Sequence, residues 1–295
     1  MKKTIYALGF FDGVHLGHGA LLKACRVLAE QTRSSVGVVT FTNHPDAMVL
    51  GKAPALINTP EDRLTLLREY YQVDTVVQLP FDKAMMTMPW QAFAQMLLRE
   101  YHAAGLVCGH DFRFGNRGEG NARLLEQFCK AQRIACTVVP AQMLDGCLIS
   151  STHIRSLLET GQLEAACRFL GHPHLLSGTV VSGRQLGRTI GIPTANLTVP
   201  EGVMELRHGV YACKAMVDGK SYAAVTNVGN RPTVNGHHVT VEAWLLDFVG
   251  DLYGKTLTLW FYAFLRPEQK FASLGDLQTE IQKNGEQVRN FFEKY

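Results

Sequence analysis

The chain has 295 residues, with 29 Lys and Arg against 26 Asp and Glu, for a formal net charge of +3. That length accommodates two domains of ordinary size, roughly 100–200 residues each, and the small, unclustered charge excludes a basic nucleic-acid patch or a membrane-binding face. No apolar run approaches membrane-spanning length, and Asp12 and His15 interrupt the short apolar N-terminal stretch that would otherwise resemble a signal peptide. Seven scattered cysteines, without a Cys-x-x-Cys pair, read as reduced core residues of a cytoplasmic protein.

Through the first half, short apolar runs alternate with amphipathic stretches, the pattern of an α/β domain with a parallel sheet. Strands are predicted at 4–10, 35–41, 74–79, 104–108 and 134–139. After the first strand, Leu21, Leu22, Cys25, Leu28 and Ala29 recur at helical spacing. Thr59 can cap a helix that holds Pro60 in its first turn. Met88-Pro89-Trp90 opens another helix, running to His102, and residues 156–177 are expected to form helices that join the halves.

Beyond Gly178 the runs 178–182, 209–217, 221–228, 239–246 and 256–264 are rich in β-branched and aromatic residues and are separated by Gly, Asn and Asp turns. They predict an antiparallel sheet or small barrel. A terminal amphipathic helix is expected over Leu274 to Glu293, and the domains are read as 1–170 and 171–295.

Between the first strand and the first helix stands Gly9-Phe-Phe-Asp-Gly-Val-His-Leu-Gly-His18. At a helix N-terminus, unpaired backbone N–H groups and the positive dipole end attract phosphate oxygens. Gly17 lacks a side chain that would keep a triphosphate away, and His15 and His18 can donate to charge building on phosphates. Cys108-Gly-His-Asp-Phe-Arg-Phe-Gly115 follows an apolar strand; its Asp111 and Arg113 either pair with each other in an ordinary loop or approach a ligand. In Ile149-Ser-Ser-Thr-His-Ile-Arg155, hydroxyls at a helix start can cap the helix or hold phosphates, and Arg155 suits spreading phosphoryl charge.

In the second half, Gly187-Arg-Thr-Ile-Gly-Ile-Pro-Thr-Ala-Asn196 supplies a threonine hydroxyl and an amide oxygen, hard donors suited to Mg²⁺ held with substrate phosphates. Glu242, in Val239-Thr-Val-Glu-Ala-Trp-Leu-Leu246, shares a strand face with Trp244 and Leu246. There it is either a proton acceptor among apolar neighbours or a solvated rim residue.

These strings, with Gly209-Val-Tyr-Ala212, Asn227-Val-Gly-Asn-Arg-Pro-Thr233, Asp251-Leu-Tyr-Gly254, Leu265-Arg266 and Lys270-Phe271, resemble the bacterial bifunctional riboflavin kinase and FAD synthetase family over essentially the whole chain. The resemblance implies a Rossmann-like α/β nucleotidyltransferase domain, which adenylylates FMN, followed by a six-stranded antiparallel β-barrel, which phosphorylates riboflavin. It implies that Gly9, Phe11, Asp12, Gly17, His15, His18, Ser150, Ser151, Thr152 and Arg155 serve ATP and AMP transfer in the first domain. Asp111, Phe112 and Arg113 would shape its flavin pocket. In the kinase domain Gly187, Arg188, Pro193 and Asn196 would contact ATP, Thr194 and Asn196 would hold Mg²⁺, Glu242 would accept the ribityl 5′-hydroxyl proton, and Arg266 would line the flavin site. ATP, riboflavin and FMN are then the expected partners, with FMN and FAD as substrate and product and not as redox cofactors. No nucleic acid or membrane is expected, and the protein is expected to act as a monomer or weak oligomer. Phe10, Thr42, Asn43, Gly229-Asn230-Arg231 and Asn284 depart from common family choices; the first three flank the adenylylation motifs, so a riboflavin kinase with a weak or inactive first domain is the alternative.

Overall fold

The computed structural model describes residues 3–183, 187, 191–233 and 236–294, with the backbone alone for residues 230–233 and 236–238. The chain divides into two compact units, residues 1–56 with 63–151, and residues 57–62 with 152–295.

The first unit is built on five parallel strands, β1 (Thr4–Leu8), β2 (Ser35–Phe41), β3 (Thr75–Leu79), β4 (Ala103–Gly109) and, as the outermost, the strand Ala135–Val139. Their spatial order places β1 at the centre, with β2 then β3 on one side and β4 then Ala135–Val139 on the other. The chain thus reverses direction across the sheet between β1 and β4, the place where such sheets leave a crevice beyond the strand ends. Period-two alternation sets the two faces. Tyr6, Leu8, Leu106 and Cys108 join Phe93, Leu97 and Leu125 from the helices Trp90–Arg99 and Ala122–Gln132 in one core. Ile5, Ala7 and Val107 consequently face the other side, where α1 (Leu16–Thr32) packs on β1 and β4. The five predicted strands are present; β1 stops at Leu8 because Phe11 adopts a left-handed φ of 63°. Two short helices, Pro45–Val49 and Lys83–Thr87, were not legible, being too brief to show a 3.6-residue period. Thr59 caps its helix as expected, its Oγ1 accepting the Asp62 N–H at 2.9 Å.

The second unit opens with helices Ser151–Glu159 and Leu163–Leu170 and then closes a six-stranded antiparallel barrel. Around the barrel the strands run His174–Val181, Ala195–Leu197, Gly236–Leu245, Lys220–Thr233, Gly209–Val217 and Thr256–Arg266, the last pairing back onto the first. The three-residue strand Ala195–Leu197 was missed; with Asn196 at its centre it carries no β-propensity signal, and only its pairing to both neighbours makes it a strand. The terminal helix Leu274–Lys294 covers one face of the wall, where Val288 packs with Val210, Val225 and Leu246, and Trp244, Phe291 and Phe292 fill in around them.

Candidate active sites

Three left-handed residues in close succession, Phe11 (φ 63°), Gly13 (φ 76°) and Val14 (φ 38°), turn the chain from β1 into α1. For Phe and the β-branched Val this conformation costs on the order of 1–3 kcal/mol each, a strain found where geometry serves a site. The turn puts His15 at the N-cap of α1, where its Nδ1 accepts the His18 backbone N–H at 3.4 Å; the His15 proton is therefore on Nε2. The His15 and His18 rings stack with centroids 3.7 Å apart and planes at 16°, and the buried Phe11 ring backs His18 at 4.8 Å. A Cβ on Gly17 would come 3.0 Å from the His15 ring, so glycine permits this stack. Burial drives the His18 pKa well below its ordinary 6.5, with His15 and Arg63 adding to the effect. His18 is thus a neutral imidazole at a helix N-terminus, and its buried Nδ1 makes no hydrogen bond among the described residues.

Asp12 is buried, and its carbonyl accepts the Ser151 Oγ at 2.9 Å, which brings Ser151 to the histidine turn. Ser150 immediately precedes that helix, while Thr152 and Arg155 lie further along it, in the second unit. Gly9 joins the strand ends, its N–H donating to the Val39 carbonyl at 3.2 Å. Sequence reasoning missed Arg63. Its guanidinium, 2 % exposed, donates to the carbonyls of Phe10 (3.0 Å) and Phe41 (2.7 Å) and lies 4.3 Å over the Phe10 ring, so it ties together the ends of β1 and β2. In the sequence it is one more charge in a helix, and only the tertiary fold buries it.

Beside the strand ends lies a cavity of 820 Å³ lined by Phe41, Phe81, Met85, Met86, Phe93, Phe112 and Arg113, among others. Phe112 stacks on Phe114 at 5.2 Å. Asp111 does not line this cavity; its carboxylate is largely in solvent, 3.9 Å from His110. The unusual Asn43 has a structural job, accepting the Phe81 N–H at 3.0 Å and donating to the Phe81 carbonyl at 2.9 Å, and so fixing one cavity wall. Phe10 packs edge-on against His44 at 4.6 Å.

In the second unit the barrel register creates the site. Glu242 pairs with Asn196 on one neighbouring strand and with Asn227 on the other, and paired residues share a face. An amide, a carboxylate and an amide therefore stand in a row across three strands. Its Glu242 and Asn227 line a cavity of 290 Å³ between the barrel wall and the terminal helix, lined also by Gly187, Thr194, Trp244, Arg266, Glu268, Phe271, Leu277, Ile281 and Asn284. Glu242 is thus on a helix-covered face with Trp244, not on a solvated rim. A smaller cavity of 80 Å³ shares Thr194 and is lined by Pro193, Ala195, Asp251, Leu252 and Tyr253. The Asn196 Oδ1 is buried and accepts no hydrogen bond among the described residues. Arg188 lies outside them. Arg266 donates through Nε (3.1 Å) and Nη2 (3.0 Å) to Asn284 Oδ1, and its Nε lies 3.2 Å from Glu280. The carboxylate beside Arg266 thus comes from Glu280, one turn before Asn284 in the helix. The roles of Asn227, Glu268 and Glu280 were not legible beforehand, because each depends on register or on helix docking.

Residues 1–153 match the family described as FAD synthetase, and residues 170–292 match the one described as riboflavin kinase. Among curated relatives, the bifunctional riboflavin kinase/FMN adenylyltransferase of Listeria monocytogenes is 34% identical over 293 residues, covering 98% of this chain and 93% of its own. Those of Haemophilus influenzae and Escherichia coli are each 36% identical, over 288 and 291 residues, covering 97% and 98% of this chain and 93% and 92% of theirs. A solved structure titled as a macrolide-efflux protein from Streptococcus pneumoniae superposes with a TM-score of 0.86 at 28% identity, covering 98% of this chain and 94% of that one. Among the described residues, no helix is long and apolar enough to cross a membrane. The chain belongs to the bifunctional riboflavin kinase/FMN adenylyltransferase family.

Proposed function

We propose that the protein is a cytoplasmic enzyme that makes FMN from riboflavin and ATP in its barrel unit, and FAD from FMN and a second ATP in its α/β unit. The observation that carries the kinase reading is the Asn196–Glu242–Asn227 row, whose Glu242 and Asn227 line an amphiphilic cavity. Riboflavin's ring system suits the apolar side formed by Trp244, Leu277 and Ile281, which leaves its ribityl chain toward Glu242. Glu242 takes the proton of the 5′-hydroxyl as that oxygen attacks the γ-phosphorus and ADP departs. Thr194 borders both cavities, so flavin in the larger and nucleotide in the smaller would meet at its hydroxyl.

A divalent cation fits this site. The orphaned, buried Asn196 Oδ1 and the Thr194 hydroxyl are hard oxygen donors, and they would hold Mg²⁺ together with ATP phosphates. When bound, Mg²⁺ offsets phosphate charge. The chain's own residues orient the hydroxyl and remove its proton.

In the α/β unit, FMN's phosphate oxygen attacks the α-phosphorus of ATP and pyrophosphate leaves. His15 Nε2–H and neutral His18 donate to the phosphate oxygens at the α1 N-terminus, and Ser150 and Ser151 contribute hydroxyls. The aromatic and thioether lining around Phe112 suits the isoalloxazine ring. Incubating purified protein with riboflavin, ATP and Mg²⁺ and separating the flavins by chromatography tests the reading. FMN and FAD should both accumulate; FMN without FAD would leave only the kinase, and neither product would sink the proposal.

A further inference from the structure

The segment between Arg266 and Phe271 leaves the last barrel strand and leads to Ser273, whose Oγ accepts the Asp276 N–H at the start of the terminal helix. Arg266, Glu268, Gln269 and Phe271 all line the 290 Å³ cavity, so this segment forms one of its walls. One end is tied down by the bonds from Arg266 to Asn284. The other end meets the barrel wall at the Lys220–Thr233 strand, where Glu268 Oε1 accepts from Asn227 Nδ2 at 3.2 Å.

Gly229 shares a strand face with Asn227, two residues away. A Cβ on Gly229 would stand 2.0 Å from Glu268 Oε1, so the carboxylate rests in a seat that exists only because this residue is glycine. Asn227, in turn, is the ladder partner of Glu242. We propose that Glu268 is a positioning residue of the kinase site: its carboxylate clasps the 266–271 segment to the barrel wall and so holds the flavin cavity closed on the side next to Glu242. The proposal rests on the riboflavin kinase reading above. The wall so formed is polar toward Asn227, Glu242 and Glu268 and apolar toward Trp244 and Ile281. It therefore selects a ligand with a flat aromatic system and a hydroxylated chain. Glu268 is itself exposed, so removing it creates no core defect.

Four variants of the full chain test this: Glu268→Ala, Gly229→Ala, the double variant, and Glu268→Gln. Riboflavin binding is read by flavin fluorescence quenching without nucleotide, and FMN formation by kcat and KM. Glu268→Ala and Gly229→Ala should each weaken binding and raise KM for riboflavin roughly three- to tenfold, as expected for loss of one partly exposed charge-assisted hydrogen bond. In both, kcat should change by less than about twofold. The double variant should be no worse than Glu268→Ala, because the methyl group on residue 229 acts by displacing the same carboxylate. Glu268→Gln, which keeps an acceptor oxygen, should stay near the parent. The proposal is overturned if both alanine variants bind riboflavin normally, if their effects add in the double variant, or if Glu268→Gln loses kcat. Failure of the kinase reading looks different: riboflavin would bind, and respond to these substitutions, without FMN being formed.

Discussion

His18 is held neutral by burial, with His15 stacked on it and Arg63 nearby, and this sets what its removal does. A preorganised donor is lost while β1, α1 and the sheet core keep their contacts. His18→Ala should therefore lower FAD formation from supplied FMN by about 10²- to 10³-fold and leave riboflavin phosphorylation intact. Product separation by chromatography reads both. Glu242→Gln should do the converse, lowering FMN formation by about 10²- to 10⁴-fold while FAD is still made from FMN. A third histidine governs acid stability. His174 is 1 % exposed, its Nδ1 makes no hydrogen bond among the described residues, and burial beside His172 lowers its pKa from 6.5 to about 3. The unfolded chain takes up this proton below pH 6.5 and the folded chain does not until about pH 3, so stability is lost as pH falls through that window. Going from about pH 7 to about pH 5 should cost about 2 kcal/mol in urea unfolding through this group, and His174→Leu should remove that part of the slope. His18 and Glu242 stand out in the sequence by motif and period; the depth of His174 does not, since a histidine between a proline and an apolar strand gives no sign of it.

At the scale of elements, the terminal helix lines the 290 Å³ cavity as much as the strands do. Its apolar stripe was evident from spacing, and Leu277, Ile281 and Val288 do face the barrel. Its polar contribution was hidden. Asn284 is 1 % exposed; its Oδ1 takes two bonds from Arg266 and its Nδ2 donates to Glu280 and Gln287. Asn284→Ala strands the Arg266 donors and should destabilise the protein by about 1–3 kcal/mol, seen as a lower urea midpoint. It should also raise KM for riboflavin, because Arg266 lines the cavity. Full stability and an unchanged KM would show that Glu280 alone holds Arg266. The short strand Ala195–Leu197 makes the complementary point. Thr194 and Asn196 stand out in the sequence as hard oxygen donors, but what puts Asn196 opposite Glu242 is a strand three residues long.

At the scale of the whole molecule, the two chemistries reside in separately packed units, each with its own core and cavity. If FMN leaves the barrel and re-enters the α/β unit from solution, a mixture of the His18→Ala and Glu242→Gln proteins should convert riboflavin to FAD although neither does so alone. Chromatography of the mixture checks this; FMN accumulating without FAD would mean the intermediate does not exchange between molecules.

The sequence by itself determined the two-domain plan, the change from alternating α/β to barrel strands, and the family to which the contiguous motifs point. Each of these is a local property, carried by hydrophobic period, by Gly and Pro placement and by contiguous motif. The tertiary structure decided the neutral state of His18, the burial of Arg63, the alignment of Asn196, Glu242 and Asn227, and the seat of Glu268 on Gly229. Those depend on strand register and on desolvation. Both arise only when segments distant in the chain are brought together: a register shift of one residue would turn Asn196, Glu242 or Asn227 to the opposite face, and His18 and Arg63 lose water only when other elements pack over them.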